Sequence, residues 1–397
     1  MHDHYQVLIV GGGTAGITVA AWLANEADAP KIAVIEPSSK HYYQPLWTLV
    51  GGGVFPKELS ERNEADTIPP GVTWIQDAVA TFAPENNTVT TADGKTIGYD
   101  FLVVAAGLKV NWEAIPGLKE SVGKLGTGVC SNYSYETAAA TWENIRNLRS
   151  GTAIFTQPVP PIKCGGAPQK ICYLAADHFK RAGVRNKIQI LFRSGEPSIF
   201  AVEKYAKTLR QVIARNQIDA QFRTSLVALR PDNHEADFQH LDTGEKTTLH
   251  YDMIHVTPPM CAPDFIAKSP LAGATGWVTV NQYNLQHTNY PNVFALGDCS
   301  NLPTSKTGAA IRKQAPTVAK NVMAALHGLP LPATYDGYTS CPLVTGYGSL
   351  VMAEFDYNKQ PQETFPFDQS QERYSMYALK AYGLPQMYWH GMLRGRV

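Results

Sequence analysis

The chain has 397 residues, 44% hydrophobic and 17% charged, with 34 Lys and Arg against 34 Asp and Glu and a formal net charge of zero. That apolar content excludes disorder as the main state, and the absence of a basic excess argues against a nucleic-acid partner. The length implies two or three domains. No uninterrupted apolar window of about 18 residues suggests a spanning helix, and the opening MHDHY carries no export signal, so the six cysteines are expected to be reduced, with any disulfide catalytic.

QVLIV (residues 6–10) reads as a buried strand, GGGTAG as its tight exit, ITVAAWLANEA as a helix and KIAVIEP (31–37) as the next strand. This β–α–β unit implies a parallel sheet through a right-handed crossover. Gly11, Gly13 and Gly16, with Gly12 among them, form G-x-G-x-x-G at the head of the helix. The first glycine permits the turn, the second lets a pyrophosphate approach the backbone, and the third lets the helix pack closely. Glu36, 20 residues beyond Gly16, stands where an acid binds ribose hydroxyls and disfavours a 2′-phosphate. TIGYDFLVVAAG (96–107) reads as a further strand closed by Gly107.

A second α/β unit follows. GTAIFTQP (151–158) is a strand, KICYLAADHFKRAG a helix and KIQILFR (187–193) the second strand. Between strand and helix lies PVPPIKCGGAPQK, with prolines and Cys164 where a nucleotide would need glycines, and the second strand ends in Arg193 rather than an acid. This unit therefore lacks a nicotinamide-nucleotide site. Residues 214–250 alternate like an antiparallel meander, and YDMIHVTPP echoes YDFLVVAAG as a repeated strand. YPNVFALGD returns to the first domain, ending in Asp298, and a helix begins near Gly308. Thr288 with NVFALGD resembles the second FAD fingerprint of two-dinucleotide flavoproteins, which favours FAD over NAD, and the helix start at Gly308 would lie beside the flavin pyrimidine.

Cys164 precedes a helix, where the dipole favours a thiolate. Cys341, in YTSCPLVTGYG, is a second loop cysteine, and together they suggest a thiol/disulfide couple serving a flavin. Of the others, Cys172 reads as core, Cys299 follows Asp298, Cys261 sits in a proline-rich turn and Cys130 in a polar loop. No metal site is assigned. The C-terminal RYSMYALKAYGLPQMYWHGMLRGRV fits a helix pair in a membrane interface, aromatics at headgroup level and Arg373, Lys380, Arg394 and Arg396 outward; the alternative is a segment capping the body. The expected architecture is α/β, with two Rossmann-like domains and a membrane-interface tail. Residues 1–110 and 266–330 form an FAD-binding domain, 111–265 a second domain without a nucleotide fingerprint, and 331–397 the C-terminal region.

VLIVGGGTAGIT, VIEPSSKHYYQPLWTLVGGG, PIKCGGAPQKICYL, YPNVFALGDCSNLPTSKTGAA, YDGYTSCPLVTGYG and EFDYNKQPQETFPFDQSQERYSMY together resemble the mitochondrial type of sulfide:quinone oxidoreductase over nearly the whole chain. The resemblance implies that Cys164 and Cys341 are the redox pair, bridged at rest by a disulfide or an added sulfur. Sulfide attacks the bridge, Cys341 takes the persulfide and Cys164 faces the flavin as thiolate. It further implies that FAD contacts Gly12, Gly13, Glu36, Gln44, Val79, Gly107, Asp298 and Lys306, and that a quinone sits against the flavin near Tyr347, Phe355 and the C-terminal aromatics. The partners implied are hydrogen sulfide, a quinone, a small sulfur acceptor (sulfite, glutathione or sulfide) and a membrane surface, with a homodimer left open. Without a presequence in view, the cytoplasmic face of a bacterial inner membrane is the expected location. Cys130 is of interest because another branch of the family uses a third cysteine. The competing functions are an NADH:quinone oxidoreductase of similar fold and a non-enzymatic flavin/thiol redox sensor.

Overall fold

The first apolar run forms the strand Asp3–Val10, its last four residues buried, inside a seven-stranded sheet of the computed structural model. Residues 3–397 are described; the first two, part of the stretch read for an export signal, lie outside the described residues. Ile32–Ile35 lies parallel on one side of Asp3–Val10 and Thr96–Val104 on the other. All four residues of Ile32–Ile35 are buried, as in a strand covered on both faces. The helix Thr14–Ala24 makes the crossover and buries Ile17, Val19 and Leu23. Val293–Ala295 returns from far along the chain to pair with the end of Thr96–Val104.

Five parallel strands make a second sheet, in the order Val129–Cys130, Met253–His255, Gly151–Gln157, Ile188–Ser194 and Ile218–Gln221. The two Tyr-Asp strands hold equivalent places, each parallel to the opening strand of its unit. Thr224–Arg230, Glu235–His240 and Lys246–His250 form the antiparallel meander.

The C-terminal region departs from expectation in two ways. Thr339–Gly346 and Ser349–Phe355 form a hairpin, masked in sequence by Pro342, which a two-stranded ribbon tolerates at its open edge. Its side chains alternate: Cys341, Leu343, Val351 and Ala353 enter the second core, while Val344, Leu350 and Met352 enter the first. The hairpin is therefore a wedge between the two cores. The tail is one continuous helical run, Tyr374–Ala378, Leu379–Gly383 and Leu384–His390, rather than a helix pair. Its middle turn is a π turn, and the wider spacing accommodates Pro385, which cannot donate to the preceding turn. Tyr377, Tyr388, Trp389 and Leu393 are buried in the first core instead of facing outward, because large rings gain more from covering that core. Lys380 is also buried. Tyr374 and Tyr382 stay exposed, Tyr382 edge-on to Phe55 at 5.8 Å. Among the described residues no helix is long and apolar enough to cross a membrane.

Candidate functional site

Gly11 has φ +103°, and a Cβ there would come within 2.6 Å of the Ala105 carbonyl oxygen; a Cβ on Gly16 would come within 1.8 Å of Gly11 O. The fingerprint therefore needs glycine at both positions, one for the turn and one for the helix contact. Gly12 donates its N–H to Glu36 Oε2 at 2.8 Å, and Ser38 N–H donates to Oε1 at 2.8 Å. Burial raises the Glu36 pKa, the two backbone donors oppose this, and the nearby charge of Glu64 adds to the rise. Gly13 faces open space.

These residues form one end of a cavity of about 600 Å³ lined by Gly11, Gly13, Glu36 and Gln44, then Gly107, Asp298, Lys306 and Gly308, and reaching Cys164 and the C-terminal helix. It lies at the exits of parallel strands, where α/β folds bind ligands. Asp298 is raised by burial, which Lys306 and Lys163 oppose. Lys306 Nζ donates to the carbonyls of Asp298 and Ser300 at 2.7 and 3.0 Å. Lys163 Nζ donates to Gln44 Oε1 at 2.8 Å. The helix Gly308–Leu326 starts at this wall, capped by Thr307, whose hydroxyl accepts from Ala310 N–H. The elongated cavity, the open glycine positions at its backbone walls, and two acids at strand ends fit a dinucleotide of FAD's chemistry. Gly12, Gly16 and Val79 do not line it: Gly12 is turned to Glu36, Gly16 packs the helix and Val79 is buried in the first core.

The second strand exit brings two cysteine sulfurs together. Cys164 has φ +49°, a left-handed conformation uncommon for a residue with a Cβ. Its N–H donates to Lys306 O at 2.9 Å, and its carbonyl accepts from Ala167 N–H at 2.8 Å, so the cysteine turn is tied to the Asp298 loop and the helix Ala167–Arg181. Cys164 Sγ lies 3.2 Å from Cys341 Sγ, and Lys170 Nζ donates to Cys164 Sγ at 3.2 Å. A Cβ on Gly166 would meet Cys341 Sγ at 2.4 Å, so that glycine leaves room for the second sulfur. The contact with Cys341 and the Lys170 charge hold the Cys164 thiol well below its ordinary range; Cys341 is pushed up by the same contact. Burial disfavours the Lys170 charge, but the two sulfurs outweigh it and raise its pKa.

Lys170 and Lys380 are absent from the expected site. Lys170 reads in sequence as an ordinary helix cation, yet it is 4% exposed; its signal is a lone lysine heading an apolar helix, six residues after a cysteine. Lys380, expected outward, is 3% exposed and donates to Pro45 O at 2.6 Å. Burial and the neighbouring Lys170 charge lower it to about 7. The helix dipole matters less than expected, since the helix begins three residues after Cys164 and a cation does the stabilising. Tyr347 and Phe355 stand outside the cavity: Tyr347 donates its hydroxyl to Gly52 O at 2.6 Å, and Phe355 packs edge-on to Phe200 in the second core. An apolar wall of the cavity is instead made by Leu379, Leu384, Met387 and Met392. Cys130 is buried away from the cavity, its thiol pushed up to about 12 by burial. Cys299 is likewise pushed up to about 11.

Residues 5–325 match the family model described as pyridine nucleotide-disulphide oxidoreductase. The mitochondrial sulfide:quinone oxidoreductase of Mus musculus is 46% identical over 99% of this chain and 87% of its own length. That of Dictyostelium discoideum is 49% identical over 98% and 86%. Among solved structures, the sulfide:quinone oxidoreductase of Aquifex aeolicus superimposes with a TM-score of 0.82 over 99% of this chain and 92% of that one, at 22% identity, a likeness of fold. The two relatives are named as mitochondrial proteins of eukaryotes, which overturns the expected placement on a bacterial cytoplasmic membrane face; that expectation rested on the opening residues, which do not decide the compartment. Fold, cavity and sequence kinship agree, and the chain belongs to the sulfide:quinone oxidoreductase family of the pyridine nucleotide-disulphide oxidoreductases.

Proposed function

We propose that Cys164 and Cys341 carry the sulfide chemistry of an FAD-dependent sulfide:quinone oxidoreductase. The observation that carries the assignment is the 3.2 Å sulfur pair beside a buried lysine, with Cys164 on the same cavity that begins at the dinucleotide fingerprint. FAD, when bound, supplies a two-electron acceptor between sulfur and quinone; Gly11, Gly13, Glu36, Gln44, Asp298 and Lys306 hold it.

In the oxidised enzyme the two sulfurs are bonded. Hydrosulfide attacks the Cys341 sulfur; a new S–S bond forms, the Cys164–Cys341 bond breaks, and the electron pair leaves on Cys164 as thiolate. Lys170 stabilises that leaving thiolate, because a buried cation strengthens a charge-assisted hydrogen bond. The Cys341 persulfide then gives its outer sulfur to a small nucleophile such as sulfite, glutathione or a second sulfide. As the Cys164–Cys341 bond re-forms, the two thiolates give up two electrons, which bound FAD would accept and hand on to a quinone; the quinone takes up two protons. Leu379, Leu384 and Met387 give the quinone ring an apolar wall, and Tyr374 and Tyr382 offer the exposed aromatic contacts through which the tail meets a lipid surface.

Anaerobic mixing tests the reading. Sulfide should bleach the flavin and NADH should not, since the second strand exit holds Cys164 in place of a nucleotide cradle. Bleaching by NADH but not by sulfide would refute it, and reduction by sulfide without turnover on decylubiquinone would leave only a redox sensor.

A further inference from the structure

A buried chain of hydrogen bonds, unused by the reaction above, ties the C-terminal helix to the dinucleotide fingerprint. Tyr388 Oη lies 2.9 Å from Thr14 Oγ1 and 2.5 Å from His41 Nε2, and His41 Nδ1 lies 3.1 Å from Glu64 Oε2. Tyr388 and His41 are each 3% exposed and Glu64 1%, so bulk water does not compete for the two His41 links, while Thr14 at the other end is half-buried. The links come from four separate parts of the chain: the helix after the fingerprint, the Lys40–Tyr42 segment, the Glu64–Asp66 segment and the C-terminal helix. Further contacts fasten the same tail. Arg394 Nη2 donates to Asp66 O at 3.0 Å, Asn25 Nδ2 donates to Arg394 O at 2.9 Å, and Gly395 lies so close to Ala21 that a Cβ would meet its backbone at 2.8 Å.

We propose that the C-terminal helix is a clasp for FAD, in which Tyr388, held by His41 and Glu64, fixes the Thr14 side chain on the cavity wall beside the fingerprint. The proposal rests on the FAD reading above. A staple that only joined tail to body would have no reason to place its hydroxyls on the cavity wall, yet both Thr14 and Tyr388 line it. The carboxylate of Glu64 can only accept, so His41 donates through Nδ1 and its ring is fixed. His41 Nε2 then accepts from the Tyr388 hydroxyl, and Tyr388 Oη accepts from the Thr14 hydroxyl, so the lone pairs left on Thr14 Oγ1 face the cavity as acceptors for a hydroxyl of FAD. Linkage makes the effect mutual: whatever tail docking adds to FAD retention, FAD adds to tail docking. Because the same helix carries Lys380, Leu384 and Met387 to the cavity, losing the cofactor loosens the wall that faces the quinone.

FAD release from the holoenzyme after dilution, followed by the rise in flavin fluorescence, tests the clasp. Thr14→Ala and Tyr388→Phe should each speed release about tenfold, and the double variant should be no faster than the quicker single one, because both remove the same link. Thr14→Ser keeps the hydroxyl and should release at the wild-type rate. Additive effects, about a hundredfold in the double variant, would overturn the proposal, as would rates unchanged in both single variants. If Tyr388→Phe does not fold, limited proteolysis of the wild type decides: the tail should be protected with FAD bound and cut once FAD is stripped, and equal cutting overturns the clasp. A wild-type protein purified without flavin would refute the cofactor reading itself, before any variant is made.

Discussion

Residues 11–16 and 158–166 hold the same position in two β–α–β units, each between the opening strand of a parallel sheet and its crossover helix. In the first, glycine brings backbone within 2.6 to 2.8 Å of where a Cβ would stand, and the chemistry belongs to N–H groups and two strand-end acids. In the second, a cysteine takes the left-handed turn and a lysine from the following helix replaces the backbone as the source of positive charge. A strand exit thus offers one platform with two uses: binding an anion through the main chain, or holding a sulfur anion on a side chain. The main difference lies in which residue tolerates the turn and whether a cation is buried beside it.

The largest effect should come from the sulfur side. Cys164→Ser or Cys341→Ser should bind FAD as the wild type does yet lose sulfide-driven flavin bleaching by about 10³-fold or more, as removal of a covalent nucleophile generally does. Stopped-flow absorbance under anaerobic conditions measures it, and full activity in either variant would refute the dithiol route.

Two glycine substitutions separate the exits more sharply. In Gly12→Ala the new methyl would stand 2.6 Å from Glu64 Oε1 and 2.7 Å from the Glu36 side chain, displacing the ribose acid. FAD affinity should fall about 10- to 100-fold, read by flavin content after gel filtration. In Gly166→Ala the methyl would meet Cys341 Sγ instead. That variant should keep its flavin and slow sulfide reduction; the reverse pattern would mean the exits are assigned the wrong way round.

Lys170→Met should act on the second exit alone. Without its cation, Cys164 should lose the part of its downward shift that does not come from Cys341, so alkylation of the reduced enzyme by iodoacetamide should need a higher pH. Sulfide reduction at neutral pH should drop about 10-fold, the worth of a charge-assisted hydrogen bond. An unmoved alkylation profile would assign the thiolate to the Cys341 contact instead.

The legible parts of the sequence were those with short-range rules. G-x-G-x-x-G with Glu36, the echoing Tyr-Asp strands and the cysteine in a turn that lacks the G-x-G-x-x-G spacing all express local backbone needs, and each lies where that logic puts it. Lys170, Lys380 and the Thr14–Tyr388 link escaped because their meaning is long-range. A lysine on a helix reads as solvated until a tail, 335 positions from its partner Pro45, closes over it. Tyr347 and Phe355 misled for the complementary reason: aromatics near the second cysteine suggested a pocket, but alternation along Ser349–Phe355 sends Phe355 into the second core while Met352 faces the cavity.

The smallest effect, and the one that reads the far end of the cavity, concerns Lys380. Burial and the Lys170 charge bring it to about 7, so it changes charge near neutrality. A group that lines the cavity beside the proposed quinone wall and can release a proton there suits a reaction that delivers two protons to a reduced ring. Turnover with saturating sulfide and decylubiquinone should therefore fall as pH rises through about 7, the point at which Lys380 loses its proton. Lys380→Met should abolish that limb and lower the rate about 10-fold on its acid side. Stability should move the opposite way. A lysine whose folded pKa lies below its unfolded value opposes folding most fully below pH 7, and progressively less as pH rises toward the unfolded pKa. Lys380→Met should therefore raise Tm more at about pH 6 than at about pH 10. An alkaline limb that survives in the variant would remove Lys380 from proton delivery, and a Tm gain that does not depend on pH would show that its charge is not held against burial.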